Sequence, residues 1–321
     1  MSMSRSKLRR AFSRLWLLAP VTTLGVGCSS TWGCDSDSRQ ETFRVATIEL
    51  TDGGVATAQT PCSEVCAQLG AHAPCSFTRS SQELAEPDEV SCQVGTLCEG
   101  RRPEGLCSDG SVEGRVPALG VLFAKMAHLE AASVPAFERL ADELAAHGAP
   151  ERLVRAARRS AKEEVRHAHA MASLAVRHGA TMPEVNVAPF GARSLEALAI
   201  ENAVEGCVRE TFGALLAGWQ ARCSEDVSVR ETLSAIAPDE LRHSELSWDI
   251  DAWALARLSE DARARVEAAR REAWSALERD AADSLLPEDV ARQSGLPSPE
   301  MARRLVRELA RTCSPATTAL A

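Results

Sequence analysis

Residues 163–167 read Glu-Glu-Val-Arg-His, and residues 239–243 read Asp-Glu-Leu-Arg-His. The order acid, Glu, apolar, Arg, His recurs after seventy-six residues, each time inside a stretch of helical periodicity. On a helix, residues three apart are neighbours, so Glu164 shares a face with His167 and Glu240 with His243. Burying such groups costs desolvation energy unless they are paired. The repeat therefore asks what offsets that cost.

Working outward, the pattern from Pro117 to Leu258 predicts four long helices. The first spans about Ala118–His147 and stops at Gly148-Ala149-Pro150. The second spans about Glu151–His178 and stops at Gly179. A stretch without helical period, residues 180–193, carries Pro183, Pro189 and Gly191. The third helix spans about Ser194–Arg222, and Ser224-Glu225-Asp226 offers a cap for the fourth, which ends near Leu258. A fifth spans roughly Asp261–Ala282, and Ser298-Pro299 starts a short last one.

The first and third helices also align. Glu130 is followed by Phe137 and Glu205 by Phe212, each seven residues on. The midpoints of Glu130 with Glu164 and of Glu205 with Glu240 both fall near the predicted breaks, so within each antiparallel hairpin the carboxylates lie level. Levelling the two hairpins needs a return of roughly 38 Å, at about 1.5 Å per helical residue. The connection reaches at most roughly 46 Å at about 3.3 Å per residue. A long crossover between the second and third helices fits.

Four carboxylates and two imidazoles then converge. The carboxylates repel one another, and two divalent cations would cancel their charge. Solvated, inert surface runs are the plain alternative, but they do not explain why six groups fall level in two repeats.

This constellation resembles the ferritin-like di-iron carboxylate superfamily, whose ligand set is a Glu from each of two helices and Glu-x-x-His from each of the other two. The resemblance covers residues 117–258. It implies an all-α four-helix bundle with extra C-terminal helices. It implies Glu130 and Glu205 as terminal or bridging ligands, Glu164 and Glu240 as bridging ligands, and His167 and His243 each on one metal. Glu163 and Asp239 would accept a proton from a ligand histidine and fix its tautomer, with Arg166 and Arg242 pairing with those acids. Glu201, one turn before Glu205, is a further ligand candidate. His169 and Glu245, both five residues after a motif Glu, are candidates for positions near the site. The implied cofactor is two iron ions, or manganese in their place. The implied partners are dioxygen or peroxide and an electron donor outside the chain. The implied reaction is oxidation of ferrous iron or of a substrate, or peroxide reduction. Many such sites hold a tyrosine near the metals. This chain contains none, which excludes a tyrosyl radical. It also lacks the paired C-x2-C motifs of rubrerythrins.

The rest of the 321-residue chain bounds the setting. A net charge of −9 argues against nucleic acid as a main partner. Arg5, Lys7, Arg9 and Arg10 precede the apolar run Trp16–Gly27, which resembles an export leader. The leader ends at Cys28-Ser29-Ser30, similar to a bacterial lipobox, except that Gly25 stands where Leu is usual. Expected domains are therefore a leader at 1–28, a tether and disulfide domain at 29–112, the helical bundle at 113–285 and a helical extension at 286–321. Residues 42–50 look like a strand. Cys62, Cys66, Cys75, Cys92, Cys98 and Cys107 read as three disulfides of undetermined pairing. Cys34 is left over, and Cys223 with Cys313 is a further pairing to test. The expected place is the bacterial cell envelope, with the protein held by its lipid on the outer membrane. The competing function is a non-catalytic metal- or partner-binding lipoprotein.

Overall fold

The computed structural model describes residues 3–19, 30–31, 39–48, 55–57, 59–62, 65–66, 71–79, 87–94, 101–103, 105–106, 116–188, 191–283 and 285–313. It is predominantly helical. Helix α1 spans Arg5–Trp16. Four long stretches follow: α2 (Ala118–Ala146), α3 (Glu151–Arg177), a third running through α4 (Leu195–Glu201), a π-helical segment (Asn202–Glu210) and α5 (Thr211–Cys223), and α6 (Val227–Leu255). Helices α7 (Glu260–Asp283), α8 (Glu288–Ser294) and α9 (Pro299–Cys313) close the chain.

The helix ends follow from local chemistry. Gly148 and Gly179 adopt φ of 70° and 82°, the left-handed conformation that glycine tolerates best. Just past them, Ala149 N–H donates to Leu144 O and Ala180 N–H to Ala175 O, both at 2.8 Å. These bonds satisfy carbonyls that the helix leaves unpaired. Ser194 caps α4 by accepting from Ala197 N–H, and Asp226 caps α6 by accepting from Ser228 and Val229 N–H.

Helix α2 packs along α3, α5 along α6, and α6 bridges the pairs through α3. Apolar layers lie on either side of the polar centre. One holds Phe123, Met126, Met171 and Leu233; another holds Leu140, Leu153, Leu198 and Ile250. A third layer joins α1 to α5 and α9 through Leu8, Phe12, Leu215, Trp219, Leu305 and Leu309. So the basic stretch expected to begin a leader forms an amphipathic helix seated on the helical domain. Arg9 holds Glu245 through one guanidinium edge, Nε and Nη2 each donating to one carboxylate oxygen, and Trp16 Nε1 donates to Leu215 O at 3.1 Å. Gly218 makes room for Trp16, whose ring would lie 2.3 Å from a Cβ there.

The smaller part is a three-stranded antiparallel sheet in the order β2 (Arg39–Arg44), β4 (Glu89–Val94), β3 (Ala71–Thr78). The strand expected at 42–50 begins earlier and turns into a short 3₁₀ helix at Val45–Thr47. A separate pair joins β1 (Ser30–Thr31) to β5 (Leu285–Leu286). Cys62 and Cys66 each take part in a disulfide. Cys28, Cys34, Cys98 and Cys107, and the side chains of Cys75 and Cys92, lie outside the described residues. Cys223 and Cys313 are free thiols, so the pairing considered for them does not form. Among the described residues, no helix is long and apolar enough to cross a membrane.

Candidate metal centre

Two groups of buried ligating side chains meet at the centre of the helices. One is Glu130, Glu164, His167 and Glu240; the other is Glu210, Glu240 and His243. Within each group one ligand atom per residue lies within 4.8 Å of the others. Five of the six expected ligands are thereby brought together.

The sixth is not. Glu205 turns away to accept from Arg209 Nη1 at 2.7 Å and from the Arg102 backbone N–H at 3.3 Å. Glu210 stands beside Glu240 and His243 in its place. The cause is the π-helical segment that ends at Glu210. Its turns close on residue i+5 rather than i+4, so the inward face passes to residues that an α-helical period does not pick out. A signal for Glu210 does exist in the chain. Glu225 is the centre of the break between α5 and α6, and Glu210 and Glu240 lie fifteen residues on either side of it.

The two motif carboxylates each face both imidazoles. Glu164 Oε1 lies 2.9 Å from His243 Nδ1, and Glu164 Oε2 lies 3.6 Å from His167 Nδ1. Glu240 Oε1 lies 2.9 Å from His167 Nδ1 and 3.6 Å from His243 Nδ1. Glu130 Oε2 lies 3.7 Å from His167 Nδ1.

The opposite ring nitrogens are held from outside, and across the hairpins. His243 Nε2 donates to Glu163 Oε2 at 2.9 Å, and His167 Nε2 donates to Asp239 Oδ2 at 3.2 Å. A carboxylate only accepts, so each Nε2 carries the proton and each Nδ1 turns inward. Arg242 pairs with both Glu163 and Asp239, and Arg166 reaches across to Asp239 at 3.1 Å.

Burial shapes the charge. Burial, with Glu164 beside it, pushes the Glu130 carboxyl up to about 8. Burial, then Glu240, pushes Glu210 well above the usual carboxylate range. Burial also pushes Glu163 up, but the hydrogen bonds from His243 and Arg242 outweigh it and hold that carboxyl at about 2. Both imidazoles are disfavoured as cations by burial, yet the surrounding carboxylates raise them.

The donor set fits a cation. Glu130 Oε2, both oxygens of Glu164 and of Glu210, Glu240 Oε1 and the Nδ1 atoms of His167 and His243 are buried without a hydrogen bond. Buried polar atoms are normally satisfied, and here the unsatisfied ones converge. This cluster of Glu and His could hold a metal ion.

The other singled-out residues have different duties. Glu201 takes a bidentate ion pair from Arg101, at 2.9 and 3.0 Å. Glu245 is buried against Arg9, and His169 is exposed. Trp219, Trp248, Trp253 and Trp274 are buried. Arg101, which sequence reasoning does not single out, is 1% exposed and lies 5.7 Å over the Phe137 ring. Phe137 in turn packs 5.1 Å from the His243 ring. The chain matches no protein-family model, no curated protein and no solved structure.

Proposed function

We propose that the chain is an exported, lipid-anchored di-iron carboxylate protein with a ferritin-like four-helix bundle, acting as an oxidoreductase on dioxygen or peroxide. One observation carries this reading: the unsatisfied carboxylate oxygens and Nδ1 atoms converge in two adjoining groups that share Glu240. Glu130, Glu164, His167 and Glu240 would hold one ion, and Glu210, Glu240 and His243 the other. Glu164 faces both histidines and would join Glu240 as a bridge. Iron in a mixed carboxylate and imidazole site supplies a redox-active Lewis acid. The chain's own part is to orient and to exclude water. Glu163 and Asp239 fix the histidine tautomers, Arg242 and Arg166 hold those acids in place, and Phe137 shields His243.

The test is the metal content of the full chain, purified without added metal and then reconstituted anaerobically with ferrous iron. About two irons per chain, with an absorbance change on adding oxygen or peroxide, supports the reading. Metal that ignores both oxidants turns it into a binding protein. No metal under either condition returns the cluster to a structural role. The anchor is tested separately: Cys28→Ser should move the protein from membranes to the soluble fraction, and unchanged fractionation rules out that lipid.

A further inference from the structure

Residues 101–103 and 105–106 belong to no helix, yet they are sewn onto the helical domain. Leu106 bridges to Val187 in the crossover, Ala188 N–H donates to Gly105 O at 2.8 Å, and Arg102 N–H donates to Glu205 Oε2 at 3.3 Å. These contacts carry the Arg101 side chain in among the helices, where it is buried. A buried charge is costly unless it is paired. Glu201 pairs it, accepting from Nε at 2.9 Å and from Nη2 at 3.0 Å.

The contacts of Arg101 go beyond its counter-charge, and two paths lead from it to His243. The first is a chain of hydrogen bonds. Arg101 Nη2 donates to Asn202 Oδ1, Asn202 Nδ2 donates to Ser247 O, and Ser247 Oγ donates to His243 O, each at 3.0 Å. Asn202, Ser247 and His243 are fully buried, so bulk water does not compete for these bonds. Gly206 lets the π segment close on α6 at this point, since a Cβ there would come within 2.5 Å of Ser247 Oγ and 2.9 Å of Asn202 Oδ1. The second path is a stack. The Arg101 guanidinium lies over the Phe137 ring, and Phe137 packs on the imidazole of His243. One path ends on the His243 backbone and the other on its ring. Neither passes through His167.

We propose that Arg101 is a positioning residue for His243: docked through Asn202, Ser247 and Phe137, it fixes that imidazole for the ion held with Glu210 and Glu240. The inference rests on the metal reading above and adds to it a control from outside the helices. Coupling of this kind is reciprocal, so the ion on His243 also holds residues 101–106 onto the helical domain.

The test is anaerobic competition with a chelator for the two ferrous ions of the full chain. Glu163→Gln and Asp239→Asn first show which dissociation constant belongs to the ion on His243 and which to the ion on His167. Arg101→Met should then weaken the His243 ion by about tenfold, the lower end of the range for groups that orient a metal ligand, and leave the His167 ion unchanged. Arg101→Lys keeps a charge for Glu201 but lacks the planar fork that also reaches Asn202. It should weaken the same ion by about threefold, the scale of one lost hydrogen bond. Two unchanged constants overturn the proposal. So do two constants weakened alike, because a general loss of stability does not choose between the ions. If Arg101→Met fails to fold, Arg101→Lys decides by the same criterion. If both fail, amide exchange in the unmodified chain decides: iron should slow exchange of Arg102 N–H by about tenfold, the same coupling read from the other side, and unchanged exchange overturns the proposal. Failure of the unmodified chain to bind iron sinks the metal reading itself, which keeps the two failures apart.

Discussion

The two hairpins place their outer carboxylates by different backbones. In the first, Glu130 sits within α2, and its partner helix α3 is regular from Glu151 to Arg177. In the second, the outer helix passes through nine π-helical residues, and the carboxylate that arrives is Glu210. Gly206 lies in that segment, where a Cβ would come within 2.5 Å of Ser247 Oγ, so the π segment presses close on α6. The inner helices, by contrast, repeat faithfully: Glu164 and His167 answer Glu240 and His243 contact for contact. Repetition in sequence is thus repetition of geometry only where the backbone period is also repeated.

The strongest way to break this comparison is to remove the outer carboxylates of the second hairpin one at a time. Glu210→Ala should cut bound iron from about two ions per chain to about one. Glu205→Ala should leave both in place. Metal loss in Glu205→Ala but not in Glu210→Ala would restore the plain α-helical alignment and dismiss the π segment as irrelevant to the site.

A smaller effect sharpens the crossed contacts. Glu163→Gln should weaken the ion on His243, and Asp239→Asn the ion on His167, each by about 10–100-fold, as measured by competition with a chelator. If each acid instead affected the histidine of its own helix, the exchange between hairpins would be wrong.

The smallest effect concerns protons. The metal-free Glu130 carboxyl stands at about 8 rather than 4.5. A raised carboxyl stabilises the fold below its unfolded value and loses that contribution as pH climbs through the folded one. His167 and His243 are raised too, so their contribution also fades as pH rises above 6.5. Glu163, held at about 2, acts oppositely, but only below 4.5. The Tm of chelator-treated protein should therefore fall between pH 5 and pH 8, and loaded protein should fall less, because metal replaces the protons. A metal-free Tm that rises over this range would show that the cluster is not protonated as described. Glu130→Gln should flatten the slope more than Glu205→Gln does.

Much of the fold is legible in the chain because helix limits are written in local chemistry. Gly148, Gly179, Ser194 and Asp226 mark ends that the structure keeps to within a residue or two. The motif pairs are legible because residues three apart on a helix share a face. Glu210 is missed by an α-helical count, in which a π segment leaves no mark, and is legible only in its equal spacing with Glu240 about the break at Glu225. Arg101 is not, since its partners Glu201 and Asn202 lie a hundred residues away and nothing local announces them. The amphipathic character of α1 is legible in Leu8, Phe12 and Leu15, spaced three and four residues apart and all buried.

The crossed histidine contacts carry a consequence for the order of assembly. Neither hairpin owns a finished ligand. The first lends Glu163 to orient His243 and takes Glu240 to complete its own group; the second takes its orientation for His243 from the first and lends Asp239 to His167. A nascent chain that has made only residues 118–178 holds two carboxylates and one histidine of that group, Glu130, Glu164 and His167, without the closing Glu240. On the metal reading proposed above, capture would wait for docking of the two halves. Bound ions would then certify that both halves had folded and met, and a half-made or misdocked chain would stay metal-free.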